Sequence, residues 1–230
     1  MKKLKLFLLV IVLVVCGCTY YVQDYYHATE KVVSDENVTI SKTDFGYFLD
    51  GPGKDTALIF YPGAKVEDVS YMKLLKQISK EGVDCFLVHM PCNLAILNPN
   101  KANQVFDTYS YSRWYISGHS LGGAMAANYA YNHTKQLDGL VLVAAYSTKD
   151  LSHSNLSVLS IYGSKDHVLN KEKYETNQKN LPKNTEEEVI VGANHAGYGM
   201  YGPQKKDGKA SISNSKQIDL TAQLIVKFCQ

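Results

Sequence analysis

Arginine is almost absent from this sequence. Of its 24 basic residues only Arg113 is an arginine, so the planar, bidentate group that clamps phosphates is nearly missing. The formal net charge of +2 also comes from the amino end, where Lys2, Lys3 and Lys5 precede an apolar run; without them 21 basic residues face 22 acidic ones. We therefore expect no nucleic-acid partner.

Cysteine and proline are scarce as well. Five cysteines and six prolines in 230 residues exclude a disulfide-dense scaffold and a proline-rich disordered chain, so one globular domain is the default. Two cysteines lie in the amino-terminal apolar segment, which leaves the odd set Cys85, Cys92 and Cys229, and this argues against disulfides. No spacing typical of metal ligands is present, and we expect neither a metal nor a cofactor.

The apolar run at the amino end is too short for an ordinary membrane span. Residues 6–15 are all apolar, whereas a spanning helix needs about 20 such residues. A short basic region followed by such a run is typical of a secretory signal. We therefore expect an extracytoplasmic protein.

The end of this run resembles a bacterial lipobox. In Val15-Cys16-Gly17-Cys18 the resemblance implies cleavage before Cys18 and lipidation of its thiol, which would anchor the chain to the outer face of the membrane. Cys16 stands where a small or aliphatic residue is commoner, so an uncleaved anchor and a cytosolic protein remain alternatives. We divide the chain into a leader (1–17), a tether with little fixed structure (18–37) and a folded domain (38–230).

From residue 38 onward, apolar runs alternate with helical patterns. Strands are predicted at residues 56–61, 83–90, 114–117, 139–145, 156–162 and 188–191, with a β-prone stretch at 38–49, and helices at 68–80, 121–131, 171–180 and 213–229. Strands that alternate with helices indicate an α/β fold, with a mostly parallel sheet covered by helices on both faces. The sequence contains no internal repeat and no sign of a second domain.

A glycine-flanked serine follows the strand predicted at residues 114–117. The sequence Gly118-His119-Ser120-Leu121-Gly122 has the G-x-S-x-G pattern, and a predicted helix begins directly after the serine. A side chain two positions before or after the serine would block so tight a turn. A structural turn capped by serine explains Ser120 but not both glycines. We therefore predict Ser120 as a nucleophile, with Gly118 and Gly122 as elbow glycines.

A nucleophilic serine needs a base that takes its proton and a carboxylate that orients the base. Downstream of the serine, Asp166 and then His195 each follow a predicted strand, in the order found after elbows of this kind. Because the carboxyl ends of parallel strands meet at one edge, all three side chains are expected there. We predict Asp166 as the acid and His195 as the base. Asp150 is the alternative acid, and His167 is a candidate base only if Asp166 is not the acid.

Two backbone amides are expected to stabilise the oxyanion of the tetrahedral intermediate. One is the N–H of Leu121, directly after the serine, and the other comes from the loop after the first central strand. That loop reads Tyr61-Pro62-Gly63-Ala64-Lys65-Val66. We select Ala64 as the second donor, since Gly63 gives the loop the freedom to aim that amide inward.

With these residues the chain resembles the α/β-hydrolase superfamily over about residues 55–228. More narrowly, it looks like a small bacterial subfamily of lidless, dienelactone-hydrolase-like proteins. The motifs that carry this resemblance are Phe60-Tyr61-Pro62-Gly63-Ala64-Lys65-Val66, Met90-Pro91-Cys92-Asn93-Leu94-Ala95, Gly118-His119-Ser120-Leu121-Gly122-Gly123 and Asn194-His195-Ala196-Gly197-Tyr198-Gly199, followed by Tyr201-Gly202-Pro203-Gln204. The resemblance implies a Ser120, Asp166 and His195 triad but no particular substrate.

The resemblance also implies an open site. Dienelactone hydrolases proper use a cysteine nucleophile, so a serine points to ordinary ester chemistry. Caps in this fold follow the strand after the nucleophile helix, and only ten residues separate positions 145 and 156. Six loop residues are expected to line the site: Tyr61, Met90, Leu94, Tyr146, Tyr198 and Met200. We predict hydrolysis of small-molecule carboxylic esters with short or exposed acyl groups. A non-catalytic surface-binding protein, an acyltransferase and a peptidase remain alternatives.

Overall fold

A computed structural model describes residues 2–230, except that the side chains of residues 2–6, 13–16, 18 and 20 lie outside the description. The first helix, α1 (Lys2–Gln23), therefore includes the predicted lipidation site Cys18 as backbone only. Within the described part of the chain, no helix is both long enough and apolar enough to cross a membrane.

One twisted sheet of eight strands organises the domain. The strands are β1 (Thr39–Thr43), β2 (Gly46–Asp50), β3 (Thr56–Tyr61), β4 (Asp84–Val88), β5 (Arg113–His119), β6 (Gly139–Val143), β7 (Ser157–Gly163) and β8 (Glu186–Ile190). Their order across the sheet is β1-β2-β4-β3-β5-β6-β7-β8. β2 pairs antiparallel with both β1 and β4, and all other pairs are parallel. The carboxyl ends of the parallel strands therefore form one common edge.

Helices cover both faces of this sheet. Besides α1 they are α2 (Met72–Lys80), α3 (Asn103–Phe106), α4 (Leu121–Asn132), α5 (Lys171–Asn177) and α6 (Asn214–Cys229). Side chains alternate between the faces of a strand, and β3 divides accordingly. Leu58 and Phe60 pack in a core with α2 and α6. Ala57 and Ile59 pack in a second core with α3 and α4. This is the predicted three-layer α/β architecture.

The predicted fold class is confirmed, and several element boundaries differ from the predicted ones. The β-prone stretch at residues 38–49 forms a hairpin, because the chain turns between β1 and β2. The last strand is Glu186–Ile190 rather than 188–191. Its first residues are charged and exposed because β8 is an edge strand, so the apolar pattern does not mark its start. The described chain has no helix between β6 and β7, as expected without a cap domain.

The expectation of little fixed structure in the tether is wrong for residues 24–37, which we call the strap. The N–H of Tyr26 donates to the Lys65 carbonyl at 2.7 Å, and the Glu67 N–H donates to the Tyr26 carbonyl at 2.9 Å. The Asp35 carboxylate pairs with two lysines of α2. The strap therefore lies on the domain through partners distant in sequence, which local polarity does not reveal.

Candidate active site

Ser120 lies in a strained turn between β5 and α4. Its backbone has φ 53° and ψ −121°, a left-handed conformation that non-glycine residues rarely adopt. A Cβ at Gly118 would overlap the backbone of Gly122, and a Cβ at Gly122 would overlap the carbonyl oxygens of Tyr61 and Pro62. Glycine is therefore required at both positions. The turn holds the half-buried Ser120 at the carboxyl edge of the sheet.

Asp166 and His195 form a buried pair at the same edge. The loop after β7 carries Asp166 and the loop after β8 carries His195, and Asp166 Oδ2 lies 2.8 Å from His195 Nδ1. Asp166 Oδ1 accepts hydrogen bonds from the N–H groups of Val168 at 2.9 Å and Leu169 at 2.8 Å. Both carboxylate oxygens are thus occupied, and the orientation of the imidazole is set by the carboxylate.

The pKa of Asp166 is lowered although the side chain is buried. Burial acts to raise this pKa, but the hydrogen bond and the charge of His195, together with the backbone N–H groups of Leu169 and Val168, outweigh it. The carboxylate is therefore ionised at neutral pH. Its negative charge stabilises a positive imidazolium on His195 whenever that ring takes up a proton.

The other ring nitrogen of His195 is left for a reacting group. His195 Nε2 is buried and has no hydrogen-bond partner among the described residues. His195 and Ser120 both line one cavity of about 250 Å³. The arrangement places an unpaired imidazole nitrogen and a serine in the wall of one cavity, as the activation of a serine by a general base requires.

A second histidine, His119, is buried directly before Ser120 and makes contacts that stabilise the serine turn. Its Nδ1 lies 2.8 Å from the Tyr71 hydroxyl, which also accepts the Gly63 N–H at 3.2 Å. The centroid of the His119 ring lies 4.6 Å from that of His195. Burial, and then the charge of His195, lower the pKa of His119 well below its usual range. His119 therefore stays neutral and joins the nucleophile turn to the loop after β3.

The two predicted oxyanion donors have free N–H groups. The amides of Leu121 and Ala64 have no hydrogen-bond partner in the described part of the chain. Leu121 is the first residue of α4, where backbone N–H groups have no partner within the helix. Ala64 is half-buried in the loop after β3 but does not line the cavity. The Leu121 amide thus directly follows Ser120, whereas the Ala64 amide lies on another loop, the one after β3.

The cavity wall differs from the predicted one. Small and aliphatic side chains form most of it: Leu121, Ala124, Ala144, Ala145, Val168 and Leu169. Of the six loop residues expected to line the site, only Tyr146 does so. Tyr61, Met90 and Tyr198 are buried in the core instead. Periodicity cannot reveal this, because whether a residue near the end of a strand faces the cavity or the core depends on packing between elements.

The alternative acid and the alternative base have hydrogen-bond partners other than His195. Asp150 is exposed, and its carboxylate accepts hydrogen bonds from the N–H and hydroxyl of Ser152. His167 is exposed, and its backbone N–H faces Asp207 at 3.4 Å. In the described part of the chain, neither side chain makes a hydrogen bond or ion pair with His195. Among the residues considered from sequence, only Asp166 is bonded to that ring.

Asp207 was missed by the sequence reasoning. Its carboxylate accepts the backbone N–H of His195 at 3.2 Å and that of Ala196 at 2.8 Å, and so it holds the loop that carries the histidine. The only sequence signal is an aspartate before Gly208, which is typical of a turn. In the described residues no group of three or more histidine, cysteine or acidic side chains is arranged to hold a metal.

Known proteins share this fold at low sequence identity. The predicted CIB-like hydrolase from Thermoplasma acidophilum superposes with a TM-score of 0.59 at 14% identity, covering 83% of this chain and 100% of that one. Carboxyl esterase 2 from the fungus Tuber melanosporum superposes with a TM-score of 0.62 at 12% identity, covering 90% of this chain and 92% of that one. Est1E from Butyrivibrio proteoclasticus superposes with a TM-score of 0.60 at 13% identity, covering 84% of this chain and 99% of that one. These likenesses concern the fold alone.

The family is established by sequence. No curated protein matches the chain. The alpha/beta hydrolase family, however, matches residues 57–219, which is most of the folded domain and includes the serine turn and the His195 pair. The chain therefore belongs to the alpha/beta hydrolase family.

Proposed function

We propose that this protein is a serine-dependent carboxylic ester hydrolase. The observation that carries the proposal is that Ser120, in its left-handed turn, shares a cavity with His195, whose other ring nitrogen is bonded to Asp166. A serine, an unpaired acceptor nitrogen and a buried carboxylate in this order match the requirements of acyl transfer. One of the similar folds is named a carboxyl esterase, which agrees with the proposal.

Each residue has a distinct role in the proposed reaction. The Ser120 oxygen attacks the ester carbonyl carbon while its proton passes to His195 Nε2. The oxyanion formed accepts hydrogen bonds from the N–H groups of Leu121 and Ala64, each worth about 3 kcal/mol in the transition state. The tetrahedral intermediate then collapses, the alcohol leaves with the proton from His195, and an acyl-Ser120 remains. Water activated by His195 hydrolyses this acyl-enzyme, and Asp166 stabilises the imidazolium in both halves.

The dimensions of the cavity favour short acyl groups. About 250 Å³ lined by alanine, valine and leucine side chains accommodates a short aliphatic chain but not a long lipid tail. Tyr146 and Asn170 are the lining residues that present polar groups besides the proposed catalytic pair. Because the described residues form no helix between β6 and β7 that could cap the site, the alcohol part of the substrate extends toward solvent, so its size is less restricted than that of the acyl part.

The direct test is covalent capture of the nucleophile. A fluorophosphonate probe should modify the protein at Ser120, as mapped by peptide mass spectrometry, and should abolish hydrolysis of p-nitrophenyl acetate in parallel. A panel of thioesters and amides, with and without an added alcohol acceptor, separates ester hydrolysis from peptidase and transferase activity. An unmodified Ser120 together with no turnover on the whole panel would instead support a binding protein on this fold.

We also propose that the chain is held at the outer face of the membrane through a lipid on Cys18, following the lipobox resemblance. The expected result is an intact mass, measured on protein extracted from bacterial membranes, that corresponds to a chain starting at Cys18 with attached acyl groups. A mass that includes residues 1–17 without lipid would contradict lipidation and would favour the uncleaved anchor.

A further inference from the structure

An exposed aliphatic pair lies on the loop after β4. Ile96 and Leu97 are each 56% exposed, on a short 3₁₀ turn at the carboxyl edge of the sheet. Their neighbour Ala95 is buried against α4 in the core, so the turn is held firmly with both side chains outward. Two adjacent aliphatic side chains on a fixed turn favour contact with an apolar partner.

The end of α1 packs against the same loop. α1 contacts the turn Pro91–Asn93, and the Lys65 ammonium lies 4.3 Å from the centroid of the Tyr21 ring. The same ammonium pairs with Asp24 at 2.9 Å, while the Lys65 backbone N–H donates to the Asn93 carbonyl at 2.9 Å. One lysine thus joins the end of α1, the loop that carries the proposed oxyanion donor and the loop after β4.

The strap keeps the apolar amino end close to this edge. Because Tyr26 is bonded to the residues on both sides of Val66, residues 18–37 do not act as a long free linker. Cys18 precedes Tyr21 by three positions, which is at most about 11 Å of extended chain. If the leader is kept, its exposed residues Phe7–Val12 provide the apolar group; if it is cleaved, the proposed lipid does. The lipid would begin near the loop, whereas residues 7–12 lie about 14 Å or more along α1 from Tyr21.

We propose that residues 91–97, which we call the docking loop, contact the lipid bilayer and hold the active-site edge against the membrane surface. The inference rests on the membrane attachment proposed above. The apolar amino end positions the docking loop at the bilayer, and Ile96 and Leu97 insert at the level of the lipid headgroups. Esters at the membrane surface, rather than in bulk solution, are then the substrates nearest to Ser120.

Cys92 allows this orientation to be measured without catalysis. It is the exposed member of the three cysteines described with side chains, since Cys85 and Cys229 are buried. We would attach a nitroxide to Cys92 in the full protein purified from membranes and reconstitute it into phosphatidylcholine–phosphatidylglycerol vesicles. Collisions with a water-soluble nickel chelate should fall severalfold relative to detergent solution. The Cys92→Ser protein measures any label on other thiols.

Val189 provides a matched control. It is 40% exposed on the edge strand β8, which is five strands away from β4 in the sheet. A nitroxide at Val189→Cys in the Cys92→Ser background should keep its nickel accessibility on vesicles. The pair Ile96→Asn and Leu97→Asn should restore accessibility at position 92, whereas Val189→Asn should not.

Three results would overturn the docking loop: equal accessibility at positions 92 and 189 on vesicles, a chain that does not float with vesicles, or protection of position 92 by dimerisation without lipid. None of these readouts depends on turnover. Failure of the docking loop is therefore distinguishable from failure of the esterase proposal, which the Ser120 adduct decides.

Discussion

Replacing Ser120 with alanine is expected to lower kcat for p-nitrophenyl acetate by about 10⁴-fold or more, with little change in stability. The side chain removed is only a hydroxyl at the edge of a cavity, and alanine fills the same backbone position. Without the hydroxyl no acyl-enzyme can form, and only the oxyanion donors and substrate binding remain. Steady-state kinetics and thermal unfolding of the same preparation measure the two effects.

Ser112 is the control for this substitution. It is exposed and lies just before β5, so it is at the opposite end of the strand that leads to Ser120. Ser112→Ala should retain the activity and the fluorophosphonate labelling of the unchanged protein. Residual turnover above a tenth of the original rate in Ser120→Ala would show that another group is the nucleophile.

Asp166→Asn is expected to lower kcat by about 10⁴-fold through a change of histidine tautomer. Asp166 Oδ1 accepts two backbone N–H groups, from Val168 and Leu169, so the amide oxygen of asparagine must take that place. Its NH₂ group then faces His195 Nδ1, where the carboxylate oxygen was. Nδ1 becomes the acceptor, Nε2 carries the proton, and the ring cannot take a proton from Ser120.

Asp150→Asn is the matched control, since Asp150 was the alternative acid and is exposed. It should leave kcat unchanged within experimental error. If Asp150→Asn were inactive and Asp166→Asn active, the assignment of the acid would be reversed. The kcat of each variant is measured on p-nitrophenyl acetate at neutral pH, and circular dichroism checks that each variant is folded.

Asp166 also contributes to stability in a pH-dependent way. Its pKa is lower in the folded protein than the ordinary value of 3.8. The ionised carboxylate therefore stabilises the fold above that ordinary value, and this stabilisation is lost as the pH falls through the lowered pKa. Asp166→Asn removes this pH dependence of stability. The stabilities of the two proteins must therefore be compared at neutral pH, where the ionised carboxylate gives the unchanged protein its full stabilisation.

The elbow could be read from sequence because its two glycines stand at fixed positions in a short motif. Gly118 approaches the backbone of Gly122, four positions on, whereas Gly122 approaches the carbonyl oxygens of Tyr61 and Pro62 on a loop distant in sequence. The prediction that Asp166 and His195 lie at one edge of the sheet needed only their positions, since each follows a strand predicted to be parallel. The contact between Tyr71 and His119 could not be predicted, because the two residues are 48 positions apart and neither has a distinctive pattern.

The predictions that proved wrong failed for the same reason, since they concerned contacts between distant residues. Tyr61 and Tyr198 were expected to lie on loops that line the cavity, yet both are buried. Tyr61 donates to the Pro99 carbonyl, across a loop whose path depends on packing. The strap was expected to be free because its residues are polar, yet its hydrogen bonds and ion pairs are to distant parts of the chain.

The sequence by itself determined the order of strands and helices, the serine turn and the edge at which the candidate residues meet. Apolar periodicity acts over a few residues, and the spacing of the two elbow glycines is recognisable within a short motif. Only the tertiary structure decided which carboxylate contacts His195, which side chains form the cavity wall and how closely the amino end lies to the docking loop. Those contacts join residues far apart in sequence, and their geometry depends on how whole elements pack against one another.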